Sequence, residues 1–223
     1  MSEHAAHNEG GDVVYAQYET IEQQQESYVV GMWSFLVTEI MFFGGLFMVY
    51  SLYRWKYVDV WSKMSTELDW RWGGLNTTIL LISSFFVAMA VQKAQKRETK
   101  AQINYLWLTV LCALGFLCVK YVEYQAKFHH GLWPDALYTA PHIIPHGEEG
   151  YSRIFMSLYF AMTGLHGAHV AIGIIVITTL IFMTKAKAPS VSDFVPTEMV
   201  GLYWHFVDLV WIFLYPLFYL IPK

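Results

Sequence analysis

The stretch IFMSLYFAMTGLHGAHVAIGIIVITTLIFMT, residues 154–184, contains no Asp, Glu, Lys or Arg over 31 positions. About 20 apolar residues in an α-helix are enough to cross the hydrocarbon core of a bilayer. Four further stretches are equally poor in charge, and the only charged residues in all five are Glu39 and Asp208. These four stretches are residues 28–53, 72–92, 101–119 and 199–222. The pattern predicts an integral membrane protein with five transmembrane helices.

The composition of the whole chain agrees with this prediction. Of the 223 residues, 56% are apolar and only 14% are charged, whereas about a quarter of the residues of a typical soluble domain are charged. Residues 1–27 are polar, contain no Lys or Arg, and are predicted to form a mobile tail. Residues 28–223 are predicted to be one membrane domain, an all-α bundle of five helices. The expected spans are about residues 28–53, 72–92, 101–125, 154–184 and 199–221.

The charge distribution excludes some functions and leaves the orientation open. A net charge of −4 without a basic patch argues against nucleic-acid binding. The first residues lack the basic and apolar regions of a signal peptide. Lys and Arg are divided almost evenly between the two sides of the predicted bundle, so the positive-inside rule does not orient it. The densest basic cluster, KAQKRETK at residues 93–100, favours a cytoplasmic N-terminus.

Glu39 lies about 16 Å into the first predicted span, at 1.5 Å per residue. A charged carboxylate is costly at that depth, so Glu39 should be neutral or paired. Its neighbours on the same helix are Phe35, Phe42 and Phe43, which offer no partner. Two alternatives stay open: a hydrogen bond to another helix, or a site that exchanges protons or contacts lipid.

His166 and His169 stand three residues apart in the fourth span and share a helical face. This pair favours hydrogen bonds to another helix or to a lipid headgroup, because a haem or metal site needs more ligands at a matching depth. Small residues beside the pair form a seam that would let another helix approach closely. The small-residue seam consists of Ala161, Gly164, Gly167, Ala168 and Ala171.

Two further polar pairs have the same helical spacing. His205 and Asp208 lie in the fifth span, and a local pair would lower the cost of burying both side chains. Lys120 and Glu123 lie near the end of the third span. They are predicted to pair, or to extend towards the membrane surface.

In this order, these elements resemble subunit III of the haem-copper respiratory oxidases, in its five-span bacterial form. The resemblance covers about residues 28–221. Its most specific parts are the motifs Gly164-x-His166-Gly167-x-His169-Val170 and Tyr203-Trp204-His205-Phe206-Val207-Asp208. Supporting matches are Thr38-Glu39 with Phe42-Phe43, Leu75-Asn76-Thr77 with Ser83-Ser84, Gly115-Phe116 and Glu123-Tyr124.

The resemblance implies a subunit with no catalytic centre, metal or redox cofactor of its own. The haems and copper are then expected in subunits I and II, with subunit I as the main contact, in a complex that reduces O2 to water and pumps protons. It further implies the bacterial plasma membrane, a cytoplasmic N-terminus, a periplasmic or external C-terminus, and bound phospholipid. A wider respiratory supercomplex is a further candidate partner. The residues that it associates with proton uptake or lipid are Glu39, Glu123, His166, His169, His205 and Asp208.

Three alternative functions remain open at this point. A quinol oxidase would contain a similar subunit III but a different electron donor, although the resemblance makes Glu39 more typical of cytochrome c oxidases. A membrane cytochrome or di-metal bundle would use the intramembrane histidines as ligands. A transporter would use Glu39 and Asp208 as ion sites, and it would show broken helices or repeated halves, which the sequence lacks.

Overall fold

The computed structural model describes residues 6–7, 13–14, 17–134, 138–139, 141–188, 191 and 193–221. Two strands, β1 (Ala6–His7) and β2 (Val13–Val14), pair antiparallel ahead of the first helix. The remaining elements are the helices α1 (Ile21–Lys56), α2 (Val58–Ser65), α3 (Trp70–Gln95), α4 (Thr99–His129), α5 (Glu149–Lys185) and α6 (Val195–Tyr219). All of these helices except α2 are long and apolar enough to cross a membrane, and the predicted five-span, all-α fold is confirmed.

The helices extend beyond the spans predicted from charge alone. α1 begins directly after Thr20, whose hydroxyl accepts a hydrogen bond from Gln23 N at 3.2 Å. Residues 21–27 are therefore helical, although their composition placed them in the polar tail. α3 begins after Asp69, whose carboxylate accepts a hydrogen bond from Arg71 N at 2.9 Å. Each cap satisfies a backbone N–H that has no partner within its own helix.

The short helix α2 closes one end of the bundle. Val60, Trp61 and Met64 on its inner face are buried. The Trp61 ring packs edge-on against Phe155 of α5, with the ring centroids 5.4 Å apart. This contact fixes the segment that joins the first two spans against the fourth.

α6 is the central helix of the bundle and packs along α3, α5 and α1. In an apolar stretch of 18 residues in α6, 44% of the residues are buried, whereas 17% are buried in the corresponding stretch of α1. Trp204 donates its indole N–H to Ser83 Oγ at 3.0 Å. Trp211 donates to Thr77 Oγ1 at 3.1 Å. These bonds satisfy two indole groups at a depth where water is scarce, and they join α6 to α3.

α1 is attached to the bundle by a narrow stripe. The buried residues of its membrane part are Leu36, Phe43 and Tyr50, seven residues apart. Seven residues are close to two helical turns, so these side chains lie on one face. Glu39 follows Leu36 by three residues and lies on the same face. The stripe therefore directs Glu39 towards the other helices.

Candidate functional site

Glu39 of α1 meets His169 of α5. Glu39 Oε2 lies 3.1 Å from His169 Nε2, and the other ring nitrogen, Nδ1, lies 2.9 Å from the Leu165 carbonyl oxygen. The Glu39 and His169 side chains are 19% and 11% exposed. The partner that α1 cannot supply therefore comes from another helix. Of the two alternatives for Glu39, the structure shows the hydrogen bond to another helix. A role in proton exchange or lipid contact stays a prediction.

The hydrogen bonds of His169 limit where its protons can lie. A carbonyl oxygen can only accept, so Nδ1 carries a hydrogen and donates it to Leu165. A hydrogen bond between His169 Nε2 and the Glu39 carboxyl group then requires one further proton, which either partner can carry. The pair is neutral if this proton is on the carboxyl group, and it is an ion pair if the proton is on the ring. Both forms keep the same hydrogen bond, so the proton can change position without a movement of either side chain.

An apolar groove borders the pair. The Phe43 ring packs against His169 with the centroids 5.3 Å apart, and Tyr203 Oη donates to the His169 carbonyl oxygen at 3.0 Å. Beside Phe43 a groove of about 370 Å³ opens between α1 and α6. Its walls include Ile40, Gly44, Phe47, Phe206 and Phe213. The Glu39 carboxyl group is thus close to a surface that suits a hydrocarbon chain.

His166 lies one turn before His169 and has different neighbours. It is fully buried, with its ring centroid 5.4 Å from that of Phe116 and 5.1 Å from that of Trp211. Neither of its ring nitrogens makes a hydrogen bond to a residue that the structure describes. The hydrogen bond that the sequence predicted for this histidine pair therefore forms at His169 only. Among the described residues, no three His, Cys, Asp or Glu are grouped so as to hold a metal ion.

The predicted local pair of His205 and Asp208 is wrong. His205 Nδ1 lies 2.7 Å from Ser84 Oγ of α3. Asp208 is 3% exposed, and within the described ranges neither of its carboxylate oxygens makes a hydrogen bond of normal geometry. The prediction considered α6 alone, whereas α3 crosses α6 at this level and offers His205 a closer hydroxyl. Asn76 of α3 is also fully buried, and its amide atoms have no partner within the same ranges.

The predicted pair of Lys120 and Glu123 is present, within a larger cluster that we call the tyrosine cage: Lys120, Glu123, Tyr159 and Tyr219. Lys120 Nζ donates to Glu123 Oε2 at 2.9 Å, and it lies 3.0 Å from Tyr159 Oη and 3.1 Å from Tyr219 Oη. Tyr159 and Tyr219 donate to Glu123 Oε1 at 2.8 and 2.5 Å. Every member of the cage is buried. The charges are therefore matched and hydrogen-bonded, which is the condition for burying them.

Sequence reasoning did not identify the two tyrosines of the cage. A signal for them existed, because antiparallel helices bring the end of α4, the start of α5 and the end of α6 to the same side of the membrane. Tyr159 and Tyr219 occupy those positions on α5 and α6. Polar aromatic residues are common at such depths, however, so their number alone does not show which of them contact an ion pair.

The small-residue seam of α5 lies largely on the exposed side of the described bundle. Ala161, Gly164 and Ala168 are exposed, and a Cβ atom at Gly164 would meet only Tyr124 Oη, at 3.8 Å. The close approach on α5 occurs instead at Gly173, where a Cβ atom would lie 2.6 Å from the Trp204 ring. As a helix-packing surface the seam remains a prediction, and it concerns contact with another chain.

Comparisons with known proteins show which family this chain is similar to. The family described as Cytochrome c oxidase subunit III matches residues 12–222. A cytochrome c oxidase subunit 3 of Thermostichus vulcanus is 29% identical over 87% of this chain and 88% of its own length. A probable cytochrome c oxidase subunit 3 of Nocardia farcinica is 31% identical, over 86% and 87%. A probable quinol oxidase subunit 3 of Staphylococcus saprophyticus is 30% identical, over 86% and 88%.

Proposed function

Since the chain belongs to the cytochrome c oxidase subunit III family, we propose that it sustains proton uptake by a haem-copper oxidase through the Glu39–His169 pair and bound lipid. As subunit III it is a multi-pass membrane protein and a non-catalytic component of a respiratory oxidase complex. It therefore works together with other oxidase subunits. Its own contribution must come from packing, from lipid, or from the polar side chains within the membrane.

The observation that carries the proposal is the 3.1 Å distance between Glu39 Oε2 and His169 Nε2. Most other ionisable residues of the membrane part are either saturated by partners, as in the tyrosine cage, or shut inside the bundle, as with Asp208. The Glu39 carboxyl group is partly exposed and has one hydrogen-bond partner on a described residue. An ionisable group in a membrane that keeps access to its surroundings is the kind that exchanges protons.

Lipid would complete the environment of this pair. The groove between α1 and α6 is apolar and lies against Phe43, which contacts His169. A lipid chain in that groove would limit the access of water to Glu39 and so set how fast its proton exchanges. Under this proposal the lipid and proton roles lie at adjacent positions on the exposed side of α1.

The remaining assignments follow from the family. We place the haems and copper in subunits I and II, and subunit I against the exposed side of α1 and the small-residue seam of α5. The basic cluster at residues 93–100 supports a cytoplasmic position for that end of the bundle, in a bacterial plasma membrane. Each of these assignments is a proposal about the complex, and the contacts with subunit I can be tested by crosslinking in the native membrane.

The test measures how long the purified oxidase complex works in proteoliposomes. Electron transfer takes place in the partner subunits, so Glu39→Gln should leave single-turnover electron transfer close to the wild type. During continuous turnover, the variant should inactivate after fewer cycles or pump fewer protons per electron, because its amide cannot release a proton. His169→Gln should give the same defect, and the double variant should be no worse than either, because the two residues act as a unit.

The control separates this role from packing. Thr38→Val changes the neighbouring residue, whose hydroxyl bonds only within α1, to the Phe35 carbonyl at 2.7 Å. It should show the wild-type lifetime. If Glu39→Gln and His169→Gln also match the wild type in lifetime and in protons pumped per electron, the pair has a structural role only and the proposal is wrong.

Quinol oxidation is a second candidate for the complex, supported by the relative named as a quinol oxidase subunit 3. The relatives named for either electron donor have nearly the same identity to this chain, so identity does not choose between them. We favour cytochrome c because of Glu39. Oxidation of reduced cytochrome c by the purified complex, compared with oxidation of a quinol, decides the donor.

A further inference from the structure

Four oxidisable aromatic side chains lie in series at the end of the bundle that α2 closes. Trp61 of α2 faces Tyr53 of α1, with the ring centroids 6.3 Å apart and the ring planes at 8°. Tyr53 lies 6.3 Å from Tyr57, at 23°. Tyr57 in turn stacks on Tyr151 of α5, at 3.8 Å and 22°. We call these four residues, Trp61, Tyr53, Tyr57 and Tyr151, the aromatic stack.

The aromatic stack leads from the interior of the bundle to its surface. The Trp61 side chain is fully buried, and its ring also lies 6.3 Å from that of the fully buried Tyr50. Tyr53, Tyr57 and Tyr151 are each half-buried. Tyr57 follows the last residue of α1, and Tyr151 lies in the first turn of α5. The outer end of the stack is therefore within reach of water.

The parallel arrangement of the rings is confined to this series. Among the ring pairs of the described residues, these three are the ones whose planes lie within 25° of each other, and the other pairs are tilted or edge-on. Packing alone favours edge-on pairs as readily as offset parallel ones. Parallel rings in contact overlap their π orbitals, however, and Trp and Tyr are the aromatic side chains that lose an electron most easily. The stack therefore suits the passage of electrons.

The outer end of the stack can also release a proton. The Tyr151 hydroxyl and the Lys56 ammonium group lower the pKa of the Tyr57 phenol. Lys56 Nζ lies 5.4 Å from the centroid of the Tyr57 ring. A phenol loses its proton when it loses an electron, so a more acidic phenol is easier to oxidise. The product is a neutral radical, which the positive charge of Lys56 does not repel.

From these observations we propose that the aromatic stack carries oxidising equivalents from the oxidase complex to the membrane surface. A strong one-electron oxidant, formed during O2 reduction in the partner subunits, takes an electron from Trp61, and Tyr53 and then Tyr57 replace it. Tyr57 releases its phenolic proton to water and becomes a neutral radical, so it loses one electron and one proton for each oxidant that gains one electron. A one-electron reductant in the aqueous phase, together with a proton from water, restores the phenol. The proposal rests on membership of an O2-reducing complex and not on the Glu39–His169 pair.

The first test locates radicals in the purified complex. The oxidised complex is treated with hydrogen peroxide, which supplies oxidising equivalents to its O2-reducing centre, in the presence of the spin trap dimethylpyrroline N-oxide. Mass spectrometry of peptides then identifies the trapped residues. Adducts should form at Tyr57 and Tyr151. Tyr121 of α4 is 65% exposed and lies outside the stack, so it should carry few adducts although it is open to the trap.

The second test interrupts the stack. Trp61→Phe keeps an aromatic ring at the buried position but removes its oxidisable group, so most of the adducts at Tyr57 and Tyr151 should be lost. Tyr53→Phe makes the same interruption at a half-buried position, and it decides the question if the complex with Trp61→Phe does not assemble. The matched control is Trp55→Phe, the same chemical change at a side chain that is 83% exposed and outside the stack. It should give the wild-type yield of adducts.

Three results would each overturn the proposal. Equal adduct yields at Tyr121 and Tyr57 would show that exposure alone selects the oxidised residue. Wild-type yields in the assembled Trp61→Phe or Tyr53→Phe complex would show that the stack is not the route. Adducts that persist when cyanide blocks the O2-reducing centre would come from peroxide itself. The readout is the position of trapped radicals, so a failure here is distinct from a failure of the turnover test at Glu39.

Discussion

Glu123 and Glu39 are both carboxyl groups within the membrane part of the bundle, and their surroundings differ in nearly every respect. The Glu123 side chain is 4% exposed and accepts hydrogen bonds from Lys120, Tyr159 and Tyr219. The Glu39 side chain is 19% exposed and meets only His169 among the described residues. Glu123 connects α4, α5 and α6 in the buried tyrosine cage, and we call the part of the bundle formed by these helices the closed region. Glu39 lies on α1, where few residues are buried, and we call this helix the open region.

This difference separates a structural acid from an exchangeable one. In the tyrosine cage, removing the Glu123 charge would leave a buried ammonium group without its counter-ion, so the charge state is fixed by the fold. At Glu39 the shared proton can lie on either partner while the hydrogen bond is kept. The presence of a carboxyl group in a membrane helix therefore does not indicate proton exchange by itself. The number and kind of its partners decide.

The largest expected effect tests the closed region. Lys120→Met should lower the free energy of unfolding by about 3–5 kcal/mol, because it leaves Glu123 buried without its counter-charge. Thermal unfolding of the purified complex in detergent measures the loss. In the double variant Lys120→Met/Glu123→Gln most of the stability should return, since no buried charge is left unpaired. A small effect of Lys120→Met alone would show that the two tyrosines can hold the carboxylate without the lysine.

A second prediction compares the packing of the two regions. Gly173→Ala places a methyl group 2.6 Å from the Trp204 ring. It should cost about 1–3 kcal/mol, the usual range for inserting atoms into a packed core. Gly45→Ala on α1 is the matched control, because a Cβ atom there meets nothing within 4 Å. The same unfolding measurement should show no loss for the control, and equal effects for the two variants would remove the distinction between closed and open regions.

A third prediction concerns the exposed surface of α5. Gly164→Leu should change the unfolding of the chain itself little, since Gly164 is exposed and, among the described residues, a Cβ atom there would meet only Tyr124 Oη of α4, at 3.8 Å. It should nevertheless weaken the association with the other oxidase subunits, because the larger side chain would overfill a contact between chains, at about 1–3 kcal/mol. The amount of this chain that co-purifies with the complex at increasing detergent concentration gives the answer. Unchanged co-purification would mean that the seam faces lipid.

The smallest effect is expected at Glu39. Glu39→Gln keeps a hydrogen-bonding group beside His169, so the free energy of unfolding should change by less than about 1 kcal/mol. Glu123→Gln, the same chemical change in the cage, should cost several times more. Unfolding of the two variants side by side compares the two acids directly. If the costs are equal, the extra partners of Glu123 add nothing to its stability.

Most of the fold could be predicted from the sequence, and the candidate site could be predicted only in part. The five spans followed from charge-free stretches, but the helix that starts after Thr20 was recognisable only by its cap and not by its apolar content. Glu39 and His169 were both identified as intramembrane polar residues, although nothing in the sequence linked them. The contact joins helices that are 130 positions apart in the chain. The prediction from local spacing, which paired His205 with Asp208, was wrong because Ser84 of α3 lies within hydrogen-bonding distance of His205.

The sequence by itself determined which segments cross the membrane and which polar residues lie inside it. Both follow from the cost of placing charge in hydrocarbon, which depends on composition and length and needs no knowledge of neighbours. Only the tertiary structure decided the partner of each polar residue. Helical periodicity shows which residues share a face, but the rotation and adjacency of the helices determine what that face meets. For this reason Glu39 has a histidine, Glu123 has a lysine and two tyrosines, and Asp208 makes no hydrogen bond of normal geometry with a described residue.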